Sequence, residues 1–180
     1  MEEFKRLERN LVAHGAIIDY YQDTIQIPNG NVAKWDFIKH KGAAAVIPVD
    51  HEGRLIMVKQ YRNAIDRDTL EIPAGGLNGE NEPTKDAAIR ELKEETGYTA
   101  QHIELLLTLC TTVAYSNEKI DIYLATGLSA GEQHLDEDEY VQTIAYTVEE
   151  LTEMIYAGEI QDAKTIAAVF AYKDKYCKDK

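Results

Sequence analysis

Apolar and polar positions along the chain change period several times, and each change marks an element. Residues 16–27 and 31–39 alternate in the way half-buried strands do, and they flank Pro28-Asn29-Gly30-Asn31, where Asn-Gly favours a tight turn. Residues 43–49 are wholly apolar, too short for a helix buried on all sides, and read as a core strand. Asp50-His51-Glu52-Gly53 turns the chain into a further strand over 54–61, and Glu71-Ile72-Pro73-Ala74-Gly75-Gly76 reads as a strand end passing into a glycine-rich loop.

Pro83-Thr84-Lys85-Asp86 then opens a helix that Gly97 closes. Ala87, Ala88, Ile89 and Leu92 form its narrow apolar stripe. Strands follow over 103–110, 119–125 and 141–147, with an Asp- and Glu-rich loop before the last. A helix over 148–157, stopped by Gly158, and a final helix over 162–172 complete the pattern. Strands on both sides of a central helix, with two helices trailing, predict an α+β fold or mixed-sheet sandwich.

Length adds that one domain suffices: 180 residues bury roughly two thirds of their unfolded surface. No apolar run approaches the length of a membrane span, and Met1-Glu2-Glu3-Phe4-Lys5-Arg6 has no apolar signal core, so a cytoplasmic protein is expected. A net charge of -13 argues against the sequence-independent attraction to nucleic acid that Lys and Arg supply. It suits a site that gathers carboxylates around a divalent cation, and equally an ordinary acidic surface. Cys110, in an apolar stretch, reads as a core residue, and Cys177 as part of a polar tail. Neither has the spacing of a disulfide or zinc site. His14, His40, His51, His102 and His134 are scattered singly and carry no assigned chemistry.

The central helix carries the chemistry. In Arg90-Glu91-Leu92-Lys93-Glu94-Glu95, the helical period of about 100° per residue puts Glu94 and Glu95 each within roughly 60° of Glu91. Three carboxylates so placed repel one another unless a hard cation such as Mg²⁺ is shared between them. A solvated acidic face has the same pattern, and the helix alone does not separate the two. The wider spacing does. From Gly76, five residues lead to Glu82, seven more to Arg90-Glu91, and Leu92, Lys93, Glu94-Glu95, Thr96, Gly97 and Tyr98 follow. This resembles the Nudix box, Gly-x5-Glu-x7-Arg-Glu-U-x-Glu-Glu-x-Gly-U, at every fixed position, with Tyr98 in the final apolar slot.

Outside the box the chain resembles the ADP-ribose pyrophosphatase branch of that family over nearly its whole length. Gln60-Tyr61-Arg62 and Glu71-Ile72-Pro73-Ala74-Gly75 stand as in that branch. The resemblance implies a Nudix fold, a mixed sheet sandwiched between helices with an N-terminal antiparallel strand extension. Residues 1–40 would serve dimerisation and substrate stacking, and 41–180 would form the hydrolase domain. It implies Mg²⁺, or alternatively Mn²⁺, held by Glu91, Glu95, the Gly75 carbonyl and Glu139, with Glu94 as a further, catalytic carboxylate. The doubled glycine leaves Ala74 or Gly75 as the carbonyl.

The same resemblance makes Glu137, in Asp136-Glu137-Asp138-Glu139, the base that takes a proton from the attacking water. Arg62, Glu118, Leu77 and Trp35 would bind substrate, Trp35 by stacking on adenine. Glu82 and Arg90 would pair to orient the loop. The implied reaction is Mg²⁺-dependent hydrolysis of ADP-ribose to AMP and ribose 5-phosphate by a homodimer. Another nucleoside diphosphate sugar, GDP-mannose or a UDP-sugar, is the nearest alternative, because Thr112-Val113-Ala114 stands where the branch has Ser-Pro-Gly. A non-catalytic nucleotide-sensing module is the remote one, and it would be expected to have lost box glutamates.

Overall fold

The structure, a computed structural model, describes residues 3–79, 81–135 and 139–177. It divides into two compact units, Met1–Gly42 with Cys110–Lys119, and Ala43–Leu109 with Ile120–Lys180.

The first unit is built on a three-stranded antiparallel sheet, β1 (Lys5–His14), β2 (Asp19–Gln26) and β3 (Val32–Lys39), with β2 in the middle. The β2–β3 turn falls at Pro28 to Asn31 as expected, with Gly30 at φ 89°. Strand β1 has no counterpart in the sequence reading, and the reason is visible in its pairing. Its register shifts between Arg6 and Glu8 and again between Leu11 and Ala13. Each irregularity exchanges the two faces, so the period of two never persists long enough to read. Arg9 crosses this sheet, its fork on Asp23 at 2.6 and 2.5 Å and its guanidinium 3.9 Å from the Phe37 ring centroid.

The second unit holds two sheets, and its core explains their order. The first runs β7 (Ala74–Gly76), β4 (Ala43–Pro48), β9 (Lys119–Ser129), β8 (Thr99–Cys110). It is mixed, with β4 parallel to β9 and antiparallel to β7. Every residue of β4 is buried, so its alternating side chains serve two cores. Ala43, Ala45 and Ile47 pack with Ile120, Ile122 and Leu124 against Val148 and Leu151 of α2 (Val148–Tyr156) and Ala168 and Val169 of α3 (Ala163–Tyr176). Ala44 and Val46 pack on the other side against Ala87, Ala88 and Leu92 of α1 (Thr84–Thr96). The sheet is thus covered by helices on both faces, which makes the fold α+β as expected. The second sheet is antiparallel, β10 (Val141–Tyr146), β5 (Leu55–Arg62), β6 (Arg67–Glu71), with β5 in the middle.

Several details differ from the sequence reading. Strand β8 begins at Thr99 rather than Ile103, and α3 continues to Tyr176. Ile89 is exposed: at about 100° per residue it lies at the edge of the face that Ala88 and Leu92 bury, on the side away from Ala87 and Glu91. Cys110 is exposed too, because it ends β8, the outermost strand of its sheet, while Cys177 packs against the α2–α3 core. Among the described residues no helix is long and apolar enough to cross a membrane.

Candidate active site

The box folds as a strand, a loop and a helix, and one face of α1 decides its chemistry. Glu91 and Glu95 sit on the same side of the helix as Ala88 and Leu92, so they are turned inward and buried, 7% and 2% exposed. Glu94 lies at the edge of that face, half-buried. Placing carboxylates on a packing face is costly unless something compensates them.

Three contacts supply part of the compensation. Glu95 Oε2 accepts the backbone N–H of Ala74 at 2.9 Å. Glu91 Oε1 and Glu94 Oε2 both accept from Nη1 of Arg90, at 2.5 and 2.9 Å. Arg90 is held in turn by Glu82, at 3.3 Å from Nε, and by the Gly76 carbonyl at 3.1 Å from Nη2. Glu82 also accepts the Asn78 N–H at 2.5 Å. The expected pairing of Glu82 with Arg90 is therefore present and spans the loop before α1.

The remaining negative charge shows in the acidities. Burial, with Glu91 and Glu139 nearby, pushes the Glu95 carboxyl up to about 8, against the pull of Ala74 and Arg62. Burial also raises Glu91, opposed by Arg90 and aided by Glu94 and Glu139. Arg62, Glu91, Glu94, Glu95 and Glu139 are thereby brought into one electrostatic neighbourhood.

Gly75 explains why this is a tight site. A methyl group at its Cα would lie 2.0 Å from Glu91 Oε1 and 2.2 Å from Glu91 Cδ, so a larger residue would push that carboxylate aside. Among the described residues no three acidic side chains already form a finished ion cage. Instead a guanidinium nitrogen bridges Glu91 and Glu94, a cation at the place where charge is needed. The donor set, carboxylates and backbone carbonyls, consists of hard oxygens and fits a hard divalent ion.

Gly97 closes the helix in the left-handed region, φ 73°, donating to the Lys93 carbonyl at 2.9 Å. A methyl group there would also meet the Gly131 carbonyl oxygen at 2.7 Å. Behind it, Gln133 Nε2 donates to the carbonyls of Glu95 and Val141, at 2.5 and 3.2 Å. This ties the end of α1 to the start of β10, on either side of the acidic loop.

A family model described as the NUDIX domain matches residues 39–169. The chain belongs to the Nudix family. Several of the proteins it is similar to match it over most of their length. An ADP-ribose pyrophosphatase of Bacillus subtilis is 39% identical over 93% of this chain and 91% of that protein. A methanol dehydrogenase activator of Bacillus methanolicus is 37% identical over the same shares, 93% and 91%. An ADP-ribose pyrophosphatase of Mycobacterium tuberculosis is 33% identical over 94% of this chain and 83% of that protein. Among solved structures, an ADP compounds hydrolase superposes with a TM-score of 0.85 over 97% of this chain and 94% of that one, at 20% identity, a likeness of fold. Nudix hydrolases use divalent metal ions, which agrees with the hard-oxygen donor set around Gly75.

The other expected Nudix site residues are distributed as follows. Arg62, at the end of β5, presents its Nε–Nη2 edge to Glu71 at 2.7 and 2.6 Å. Leu77 packs its side chain against the α1-side core. Trp35 lies half-exposed on β3, its ring 5.9 Å from that of Phe4. Glu118 accepts from Thr111 Oγ1 at 2.6 Å and lies 3.4 Å from His40 Nδ1. Trp35 and Glu118 belong to the N-terminal unit, the rest of the described site residues to the other. Glu137 lies outside the described residues.

Sequence reasoning missed Glu71, Lys164 and Gln133 as site supports. Glu71 had a signal, its place in Glu-Ile-Pro-Ala-Gly. Lys164 and Gln133 had none, since each acts through a contact far away in sequence. A cleft of about 320 Å³ opens beside Glu139, lined by Lys59, Gln60, Tyr61 and Asp68 among others. The larger groove of about 610 Å³ between β8, β9 and α3 includes none of the box carboxylates.

Proposed function

We propose that this Nudix hydrolase cleaves the diphosphate of ADP-ribose with Mg²⁺, adding water across the phosphoanhydride to give AMP and ribose 5-phosphate. The observation that carries the reading is the pair of buried carboxylates, Glu91 and Glu95, that α1 lays against the Ala74–Gly75 strand. They are held at a cost in desolvation that a divalent ion offsets. Relatives similar over most of the chain are named for ADP-ribose, and one from mouse for ADP-sugars, which supports an adenosine diphosphate half in the substrate.

In this reading Glu91, Glu95, Glu139 and the Gly75 carbonyl hold Mg²⁺, Glu94 completes the carboxylate set, and Mn²⁺ is the alternative ion. Bound there, the ion neutralises anionic phosphate oxygens and makes a water more acidic. The chain's own groups do the remainder. Glu137 takes the proton of the attacking water, Arg62 grips the diphosphate, and Arg90 with Glu82 keeps the loop before α1 in place. Trp35 stacks on adenine, while Glu118 and Leu77 contribute to substrate binding. Residues 1–40 pair two cytoplasmic copies into a homodimer, and 41–180 carry the chemistry.

A panel of nucleoside diphosphate sugars with Mg²⁺, products separated by charge, tests the substrate. ADP-ribose should have the highest kcat/KM and yield AMP. Faster cleavage of GDP-mannose or a UDP-sugar would overturn that assignment and leave diphosphate hydrolysis standing.

A further inference from the structure

Lys164 stands where a lysine is expensive twice over. It lies in the first turn of α3, at the positive end of the helix dipole, and it is 8% exposed. Two carboxylates account for it. Its Nζ donates to Glu71 Oε2 and, at 2.9 Å, to Oδ2 of Asp162, the residue that caps α3 through the Thr165 N–H.

Glu71 is saturated by this arrangement. Oε1 accepts from Arg62 Nε at 2.7 Å and from Thr69 Oγ1 at 2.5 Å, and Oε2 accepts from Arg62 Nη2 at 2.6 Å and from Lys164. Arg62 is thus gripped along one edge only. Within the described residues its other edge, Nη1 with the second Nη2 hydrogen, makes no hydrogen bond, and the side chain is 41% exposed. That edge is a second fork, of the spacing that suits two phosphate oxygens. It lies close enough to Glu95 for the two charges to act on each other.

Buried ion pairs contribute little net stability compared with apolar packing of the same volume, so an arrangement of two acids and two bases calls for another purpose. We propose that Lys164 is a positioning residue for diphosphate binding: it holds Glu71 from behind, and Glu71 aims the outer edge of Arg62 at the substrate. Lys164 also balances the second acid, Asp162, so the Arg62 charge is not spent on its own neighbours. This rests on the hydrolase reading above.

The test is a double-mutant cycle on the holoenzyme with ADP-ribose and saturating Mg²⁺, comparing Lys164→Met, Arg62→Met and the pair. Lys164→Met should raise KM about tenfold, the worth of one charge-assisted hydrogen bond, with kcat within about twofold. Arg62→Met should raise KM at least as far, and adding Lys164→Met to it should change nothing further. Lys164→Arg, which keeps the cation, should recover most of the loss. If Lys164→Met does not fold, Lys164→Gln makes the same comparison. A Lys164 penalty that persists in full on the Arg62→Met background, or one confined to kcat, overturns the proposal. An unchanged KM in Arg62→Met overturns it as well. If the wild type cuts no nucleoside diphosphate sugar, the functional reading fails, and calorimetric ADP-ribose affinities for the same proteins decide the cycle separately.

Discussion

Single residues set opposite pH trends in this molecule. Glu71 is buried, which alone would raise its pKa, but Arg62 and Lys164 draw it down to about 2 from an ordinary 4.5. The unfolded chain therefore binds the proton more readily than the folded one. The contribution to stability is complete above about pH 4.5 and is lost as pH falls toward 2, at most on the order of 3 kcal/mol. Urea midpoints taken between pH 5 and 3 should fall less steeply for Glu71→Gln than for the wild type; parallel slopes would contradict the assignment. Glu95 works in the other sense. Its folded pKa, about 8, lies above the unfolded value, so the metal-free protein loses stability as pH rises toward 8. In the proposed reading a bound cation would return that free energy by replacing the proton.

At the scale of elements, legibility followed how local each signal was. Strand β4 was readable because all its residues are apolar, and α1 because its start, its glycine stop and its box spacing all lie within one segment. The structure places Glu91, Glu94 and Glu95 of the box near Gly75 and Arg62, which lie before it in the chain. The buried orientation of Glu91 and Glu95 was not readable, since it depends on which face of α1 meets β4. Strand β1 was hidden by its two register shifts, and Lys164 by the 93 residues that separate it from Glu71.

Strand β1 also bears on assembly. All ten of its residues are exposed, and with Phe4, Leu7, Leu11, Val12 and Trp35 the N-terminal sheet shows more apolar surface than an isolated sheet usually leaves in water. A second copy would cover it. Light scattering should give about twice the 20.3 kDa of one chain, falling to the single-chain mass when Leu7 and Leu11 become Glu. A monomer in the unmodified protein would remove the homodimer.

Over the whole molecule, a helix-covered mixed sheet serves one arrangement: α1 laid against β7, with Glu91 and Glu95 between them, both made harder to ionise by burial. The acidic net charge, -13, is poorly suited to an anionic substrate unless cations mediate, and the proposed reading has the box carboxylates hold them. Replacement of one carboxylate oxygen tests this most directly. Glu95→Gln keeps the shape of the side chain and the acceptor for the Ala74 N–H, so its melting temperature should match or exceed that of the metal-free wild type. AMP release from ADP-ribose at saturating Mg²⁺ should nonetheless fall about a hundredfold or more in kcat, the effect of losing several kcal/mol of charge stabilisation. A folded Glu95→Gln protein that releases AMP at the wild-type rate would contradict the cation-gathering role of this helix.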